Sequence, residues 1–373
     1  MRKLHVALLA VVGAGAAIAV AVPAALSAAP PARASGSPDI VRLLSGYDRI
    51  WTPEDRTSNP LAGTVHDAKT MARDDELAVW INAHATSAQQ FRALQDSEYQ
   101  AGGASYDQSI TISTGLGSVL GPLYVEGYQG GRLPLVRAMI NSTDGSSGAY
   151  ITTGSAKWHY SHPRPFLPTD PTVPAVPGDA AVCAPSTVNA ASERALRVGR
   201  PYATTSGDLR IHRIPDVVDM TRQFSPNDVP LSAGYGTSGI CHGGSFPSGH
   251  ATAAYEAGIT LATLLPELAP EILARASEAG NDRIVLGVHD PLDVMGGRIA
   301  GEAATAARWS DADYRRTVLE PARTELVRFL EAQCHARLAA CIARQTPYVV
   351  DPYGGAAMPG GTAQVVTDRA SAL

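Results

Sequence analysis

Three short segments of this sequence carry residue types that can react with a tetrahedral oxyanion. They are residues 157–164, residues 244–250 and residues 283–293. Among their residues are three cations, two histidines and a carboxylate whose spacing could bring them together, and a Pro-Ser-Gly-His turn. Such a set can bind a phosphate-like anion, attack it and protonate the group that leaves. Each segment alone indicates little, but the three in this order indicate one reaction site.

The Pro-Ser-Gly-His turn predicts an anion site at the start of a helix. Ser248 is a good N-cap, so the backbone N–H groups and the helix dipole that follow it favour negative charge. Gly249 allows the backbone to approach the anion closely, and His250 lies in the first turn. The cations expected to bind the same anion are Lys157, Arg164 and Arg283.

His289 and Asp293 form the pair expected to carry out the attack. A carboxylate four residues after a histidine can accept a hydrogen bond from one ring nitrogen, which fixes the tautomer and leaves the other nitrogen free. His250 can then donate a proton to the leaving oxygen. Because three cations already neutralise the anion, we expect no metal and no other cofactor. The remaining histidines near these segments, expected to have structural or rim positions, are His159, His162 and His242.

These segments resemble the signature of the type 2 phosphatidic acid phosphatase superfamily: Lys-x6-Arg-Pro, then Pro-Ser-Gly-His, then Ser-Arg-x5-His-x3-Asp. Residues 244–250 are similar to the signature of class A bacterial non-specific acid phosphatases. The resemblance extends to about residue 330, whereas residues 35–150 match only in helical character. It implies an all-α helical bundle, with His289 forming a phosphohistidine, Asp293 orienting it and His250 acting as general acid. It also implies phosphate binding by Lys157, Arg164, Ser248, Gly249 and Arg283.

The sequence departs from that signature in two places. Asp282 occupies the position of the signature serine, where a carboxylate could pair with an arginine or repel the substrate. The segment between the first two motifs, residues 166–240, is longer than the resemblance predicts and rich in proline. We expect this insertion to be irregular and to cover the mouth of the pocket.

The function expected from the resemblance is a metal-independent acid phosphatase acting on small-molecule phosphate monoesters. A vanadium-dependent haloperoxidase is one alternative, in which His289 would bind vanadate. A lipid or isoprenyl phosphate phosphatase is another, although no later stretch reads as a membrane span. A protein that only binds phosphate would need neither His250 nor the His289–Asp293 pair. The net charge of −5 and the scattered basic residues argue against nucleic acid as a partner, and the oligomeric state, including a homo-oligomer, is left open.

Residues 1–34 resemble an export signal. A basic start at residues 2–3 precedes an apolar run over residues 4–26, and Ala-Arg-Ala at residues 32–34 fits a cleavage site. An uncleaved membrane anchor is the alternative, but two glycines and a proline within the run argue against it. We therefore expect a secreted or periplasmic protein without stable membrane insertion after cleavage.

Four cysteines in an exported chain suggest two disulfides. Three pairings are possible, and we favour Cys183–Cys241 and Cys334–Cys341 because those cysteines are nearest in sequence. Seven residues of unbroken helix would separate the second pair by roughly 10 Å, too far for a bridge. Either the helix turns between residues 332 and 341 or those two thiols stay free.

Hydrophobic periodicity predicts a mostly helical domain over residues 35–345, followed by a flexible tail over residues 346–373. Asp290 is the expected N-cap before Pro291. The predicted helices cover residues 75–95, 109–141, 149–160, 251–265, 269–286, 291–309 and 311–343.

Overall fold

The computed structural model describes residues 38–55, 61–99, 109–142, 145, 147–241 and 243–350. The predicted export signal, His242 and the tail beyond residue 350 lie outside the described residues.

The described residues are mainly helical. The α-helices are α1 Ile40–Leu43, α2 Ala68–His84, α3 Ser87–Tyr99, α4 Leu120–Gln129, α5 Pro134–Ile140, α6 Gly154–Tyr160, α7 Ala191–Arg197, α8 Ser238–Cys241, α9 Gly249–Leu264, α10 Ala269–Val285, α11 Pro291–Trp309, α12 Ala312–Tyr314, α13 Glu320–Cys334 and α14 Leu338–Ala343. The 3-10 helices are Ser45–Arg49, Ile112–Leu116, Ala181–Cys183, Pro185–Thr187 and Pro266–Leu268, and a π-helical turn is Arg315–Leu319.

Two small sheets accompany the helices. One contains β1 Trp51–Pro53, β2 Leu61–Val65 and β3 Val188–Asn189, with β2 antiparallel to β1 and parallel to β3. The other is an antiparallel pair of β4 Val217–Asp219 and β5 Val229–Leu231. These strands are short, so the prediction of an all-α class is confirmed.

Helices α9, α10 and α11 pack together at the centre of the domain. α9 is buried along most of its length, as its run of alanines and leucines predicts. A Cβ at Gly297 of α11 would lie only 2.5 Å from the Ser248 carbonyl oxygen, so glycine is required for this approach. The backbones of α9 and α11 therefore meet directly, and this contact joins the second and third sequence motifs.

The predicted helix over residues 75–95 is wrong as a single element. α2 ends at His84 and α3 begins at Ser87. The Thr86 hydroxyl accepts a hydrogen bond from the Gln89 N–H, and the Gln89 side chain accepts one from the Thr86 N–H. This reciprocal capping box starts a new helix.

Two further predicted helices are interrupted and one starts late. Residues 109–141 form a 3-10 turn followed by α4 and α5, with Pro134 at the start of α5. The helix predicted from residue 149 begins only at Gly154. The helix predicted over residues 311–343 ends at Cys334, where His335 adopts a left-handed conformation, and resumes at Leu338.

Both favoured disulfides are present. The Cα atoms are 5.2 Å apart in Cys183–Cys241 and 6.2 Å apart in Cys334–Cys341. The turn at His335 removes the difficulty that an unbroken helix poses for the second bridge. The first bridge ties the insertion to α8, just before the second motif.

The insertion contains few regular elements, but it also packs into the domain. α7 buries Glu193 and Arg197 almost completely. Arg197 contacts Asp75 of α2 at 2.7 Å through Nη2. The insertion therefore contributes charged side chains to the interior. The sequence predicts only a cover over the mouth of the pocket.

In the part of the chain that is described, no single helix meets the length and hydropathy needed to cross a membrane. The pair Gly249–Leu264 and Pro266–Val285, bent by 117°, meets them only when the two helices are taken together.

Candidate active site

The first motif lies where α6 ends. Ser161 adopts a left-handed conformation with φ of 46°, and Pro163 and Pro165 follow, so Arg164 lies just beyond the helix as predicted. Lys157, in the last turn, donates hydrogen bonds through Nζ to the carbonyl oxygens of Gly244 (3.1 Å) and Ser245 (2.7 Å). The first and second motifs are therefore in direct contact.

The second motif starts α9. Ser248 is the N-cap, and its hydroxyl oxygen accepts a hydrogen bond from the Ala251 N–H at 3.2 Å. The Ser248 N–H donates to the backbone oxygen of Asp293 at 2.9 Å. Gly249 and His250 form the first helical turn, where N–H groups lack intrahelical acceptors. This helix start is suited to an anion, as predicted.

Arg283, near the end of α10, is a buried cation without a hydrogen-bond partner among the described residues. Its side chain is 1% exposed, and its Nε, Nη1 and Nη2 atoms all lack acceptors there. Burial and the neighbouring Arg164 lower the pKa of Arg283 to about 10, so it still carries its charge at neutral pH. A buried guanidinium in this state favours a bound anion.

Arg164 is held by backbone oxygens next to the expected nucleophile. Its Nε donates to the Ile240 carbonyl at 2.6 Å and its Nη1 to the Val288 carbonyl at 2.9 Å. The same Nη1 lies 3.0 Å from Nε2 of His289. Burial lowers the pKa of Arg164 to about 10, which again leaves it cationic at neutral pH.

His289 is held in one tautomer by Asp293. Its Nδ1 lies 3.0 Å from Oδ2 of Asp293, and that oxygen also accepts the Asp290 N–H at 3.0 Å. A carboxylate only accepts, so Nδ1 carries the hydrogen and Nε2 has the lone pair. Burial lowers the pKa of His289 well below its ordinary value, and the charges of Arg164, Lys157, Arg283 and His250 act in the same direction. His289 is therefore neutral, as a nucleophile must be.

His250 has a partner that the sequence analysis did not identify. Its Nε2 lies 3.2 Å from the carbonyl oxygen of Ser97 in α3. Because a carbonyl accepts, Nε2 carries a hydrogen, and Nδ1 can gain or lose a proton without breaking this bond. Burial lowers the pKa of His250 well below its ordinary value, and Arg283 contributes next.

The structure brings the predicted site residues to one place. Arg164, Arg283, Lys157 and His250 all lie close enough to lower the pKa of His289. Asp293 bonds to His289 through its carboxylate and to the Ser248 N–H through its backbone oxygen. The residues brought together are Lys157, Arg164, Ser248, Gly249, His250, Arg283, His289 and Asp293. Their individual roles remain predictions.

A hydrogen-bond chain behind His289 was not predicted. The Ser245 hydroxyl donates to Oδ1 of Asp293 at 3.2 Å and lies 3.0 Å from Nδ1 of His162. Nε2 of His162 lies 2.8 Å from Oε1 of Glu193 in α7. His162 is only 1% exposed, so the rim position is wrong for it. His159 is partly exposed, with its ring 4.7 Å from that of Tyr160.

Several buried carboxylates surround this chain of hydrogen bonds, and we call the group the acidic core. Its members are Asp74, Asp75, Glu193, Asp290 and Asp293, together with the cations His162 and Arg197. Burial raises the pKa of Asp74 and of Asp290 well above the usual range, and neighbouring carboxylates add to the shift. These shifts favour the protonated, uncharged forms of Asp74 and Asp290. One donor atom each from His162, Asp290 and Asp293 lie within 4.8 Å of one another, but Nδ1 of His162 already bonds to Ser245 and its Nε2 faces Glu193.

Asp282 faces away from the phosphate side. It hydrogen-bonds to Asp96, which forms an ion pair with Arg275 through Oδ2 and Nη1 at 2.9 Å. Burial raises the pKa of Asp282 well above its usual range, and repulsion from Asp96 and Glu278 adds to this. Asp282 therefore favours its protonated form, whose O–H donates a hydrogen bond to Asp96. Neither expected role, pairing with an arginine or repelling the substrate, describes this contact.

Comparison with known proteins agrees with this arrangement. Residues 145–317 match the family model described as PAP2 superfamily. The match covers less than half of the chain, and all eight predicted site residues lie within it.

Two relatives of this chain have acid phosphatase names. An acid phosphatase of Zymomonas mobilis subsp. mobilis is 40% identical over 105 residues, which are 28% of this chain and 39% of that protein. A non-specific acid phosphatase of Providencia stuartii is 27% identical over 123 residues, which are 33% of this chain and 49% of that protein. The matched segments thus span less than half of either relative.

Proposed function

We propose that this chain is an acid phosphatase that hydrolyses phosphate monoesters through a phosphohistidine on His289. The observation that carries the proposal is a neutral histidine, fixed by Asp293, beside buried cations. Of these, Arg283 has no hydrogen-bond partner among the residues described. The acid phosphatase names of the two relatives support the same activity.

Substrate binding uses the cations and the start of α9. Arg283, Arg164 and Lys157 offset the charge of the phosphate group, and backbone N–H groups at the Ser248 turn donate to its oxygens. Nη1 of Arg164 moves from Nε2 of His289 to a phosphate oxygen, which frees the nucleophilic lone pair. These groups supply the charge stabilisation that a metal provides in other phosphatases, so we expect metal-independent activity.

The first chemical step transfers the phosphoryl group to the enzyme. Nε2 of His289 attacks phosphorus, a P–N bond forms, and the P–O bond to the alcohol breaks. His250 gives its proton to the leaving oxygen. The ring of phosphorylated His289 becomes cationic, and Asp293 stabilises it through the Nδ1–H bond.

The second step restores the enzyme. Neutral His250 takes a proton from water, and the water oxygen attacks phosphorus. The P–N bond breaks, phosphate leaves, and the bonding pair returns to Nε2 of His289. Each step uses groups already present in the site, so one histidine alternates between acid and base while the other is the nucleophile.

The setting we propose is extracytoplasmic. The resemblance of residues 1–34 to an export signal supports secretion or a periplasmic location, and an exported chain would keep both disulfides oxidised. We propose small-molecule phosphate esters as substrates, with no nucleic-acid partner.

The test is turnover of a panel of phosphate monoesters with and without excess EDTA. We expect hydrolysis in both cases and acid-labile phosphate on acid-quenched enzyme. His289→Ala should lose at least about 10⁴-fold in kcat, the order seen for other catalytic nucleophiles. His84→Ala is the control, because His84 is exposed and contacts the carbonyl and the ring of Trp80 within its own helix.

Near-wild-type turnover by His289→Ala would overturn the nucleophile. Loss of activity in EDTA, restored by a divalent metal, would overturn metal independence and direct attention to the His162–Asp290–Asp293 group. Halide-dependent peroxide turnover after vanadate loading, without ester hydrolysis, would favour the haloperoxidase alternative.

A further inference from the structure

The chain behind His289 fixes its own hydrogen positions. Asp293 accepts at Oδ1, so the single hydroxyl hydrogen of Ser245 points to it. The Ser245 oxygen must then accept from Nδ1 of His162, 3.0 Å away. Oε1 of Glu193 lies 2.8 Å from Nε2 of His162, and a carboxylate oxygen so close to a ring nitrogen favours a hydrogen on that nitrogen. Both ring nitrogens of His162 therefore carry hydrogen, and the ring is a cation.

In one neutral tautomer, with the hydrogen kept beside Glu193, His162 breaks this chain of hydrogen bonds. With hydrogen only on Nε2, toward Glu193, Nδ1 becomes an acceptor and takes the Ser245 hydroxyl hydrogen. Ser245 then no longer donates to Asp293. One oxygen of the carboxylate that orients the nucleophile is left without that donor.

We propose that His162 is a positioning residue, whose cationic form directs the Ser245 hydroxyl onto Asp293 and so fixes the carboxylate that orients His289. This inference rests on the proposed function, since it concerns the nucleophile of that reaction. It predicts an effect on the chemical step and little effect on anion binding, because the described polar contacts of the His162 ring are with Ser245, Glu193 and Asp290 and not with the three cations.

The surroundings of His162 favour its charged form. The carboxylates facing it belong to α7, α11 and α2, and the opposing cation is Arg197. The groups are Glu193 at 2.8 Å, Asp290 with Oδ2 at 4.0 Å, Asp293 and Asp75, together with Arg197 and the rings of Tyr47 and Trp51. Burial opposes the charge, but Glu193 outweighs it, so the pKa of His162 lies above its ordinary value.

The first test compares His162→Gln, Ser245→Ala and the double variant. Each single change should lower kcat about tenfold, as loss of an outer partner of a catalytic group does. Inhibition by inorganic phosphate should change much less than kcat. If both residues act through one chain, the double variant should be no slower than the slower single variant. Ser113→Ala is the control, since Ser113 is a buried serine whose hydroxyl donates to the Ile110 carbonyl.

The second test needs no activity. NMR titration of ring-labelled histidines, with the His162 signal assigned by its loss in His162→Gln, should show His162 protonated throughout the pH range of turnover. A neutral His162 at the optimum, or a double variant whose losses multiply, overturns the inference. If wild-type protein hydrolyses no phosphate ester, the proposed function fails, whereas the titration still decides the charge of His162.

Discussion

The two sides of His289 handle buried charge in opposite ways. On one side lie the cations proposed to bind phosphate, and among them Arg283 is 1% exposed and has no hydrogen-bond partner in the described part of the chain. On the other side, the acidic core satisfies much of its charge internally, through Arg197, His162 and raised carboxyl pKa values. The acidic core therefore contains ion pairs, although side-chain oxygens of Asp74, Asp290 and Glu193 lack hydrogen-bond partners among the described residues. Arg283 has neither an ion pair nor a hydrogen bond there.

This difference separates a functional cluster from a structural one. Buried ion pairs stabilise only when each partner is satisfied, and an unpaired buried charge costs folding free energy. A cation kept unpaired in the interior therefore indicates a missing anion more strongly than the total number of charges does. Arg275 provides the comparison within the same helix as Arg283, because Asp96 pairs with it through both guanidinium nitrogens Nη1 and Nη2.

The largest effect expected is a separation between these two arginines. Arg283→Met should weaken phosphate binding by about 2–3 kcal/mol, roughly 30- to 150-fold in Kd. Without phosphate its unfolding free energy should match or exceed that of the wild type, because an unpaired buried charge is removed. Arg275→Met should lose about 3–5 kcal/mol of stability, since Asp96 loses its partner, and should keep its phosphate affinity.

Thermal unfolding with and without phosphate, together with calorimetric binding, measures both quantities. Phosphate should raise the Tm of the wild type but not that of Arg283→Met. If Arg283→Met is as destabilised as Arg275→Met in phosphate-free buffer, Arg283 is an internal structural cation and the contrast between the two sides disappears.

A second effect concerns pH. Burial and three cations lower the pKa of His250 in the free enzyme, so its proton is lost at acidic pH and kcat/KM should fall as pH rises through that low value. A bound phosphate ester offsets the cations and raises the pKa of His250 again. The alkaline limb of kcat should therefore lie at higher pH than the limb of kcat/KM.

Profiles for wild type and His250→Ala on p-nitrophenyl phosphate measure this difference. This good leaving group needs little protonation, so the variant should retain enough turnover to measure and should lack the His250 limb. Coincident limbs in the wild type, or the same limb in His250→Ala, would show that the cations do not control the acid.

The smallest effect on the site is expected from the insertion. Cys183–Cys241 closes a segment with sequence separation 58, and its loss should cost about 4 kcal/mol on the chain-entropy model. The neighbouring Ile240 carbonyl holds Nε of Arg164. Cys183→Ser should therefore lower Tm and change KM for bulky esters, with little change in phosphate inhibition.

Cys334→Ser is the matched control. It opens a bridge with sequence separation 7, so it should cost only about 2–3 kcal/mol and leave KM unchanged. Equal KM changes in the two variants would mean that general loosening, and not the insertion, controls access to the site.

The local parts of the site were predictable from sequence. The spacing of His289 and Asp293 and the N-cap chemistry of Ser248 depend on contacts within one helical turn, and the structure shows both. The break between α2 and α3 was also readable, because Thr86 and Gln89 have capping-box spacing. Hydrophobic periodicity, on which the predicted helix over residues 75–95 rests, does not mark this break.

The long-range parts were not predictable. Ser97 is 153 residues from the histidine that it contacts, and no local pattern marks such a pair. Glu193 belongs to an insertion expected to cover the pocket, yet it is fully buried beside His162. The position of His162 within the first motif was only a weak indication of a role in the site, because that role depends on partners that the tertiary fold brings close.

The glycine contact between α9 and α11 determines which part of the site can move. With no side chain between Gly297 and Ser248, and with the Ser248 N–H bonded to Asp293, the turn proposed to bind the anion and the helix proposed to orient the nucleophile form one unit. The Ser248 amide hydrogen should therefore exchange with solvent only through global unfolding. Local motions that admit a substrate should therefore occur outside this unit.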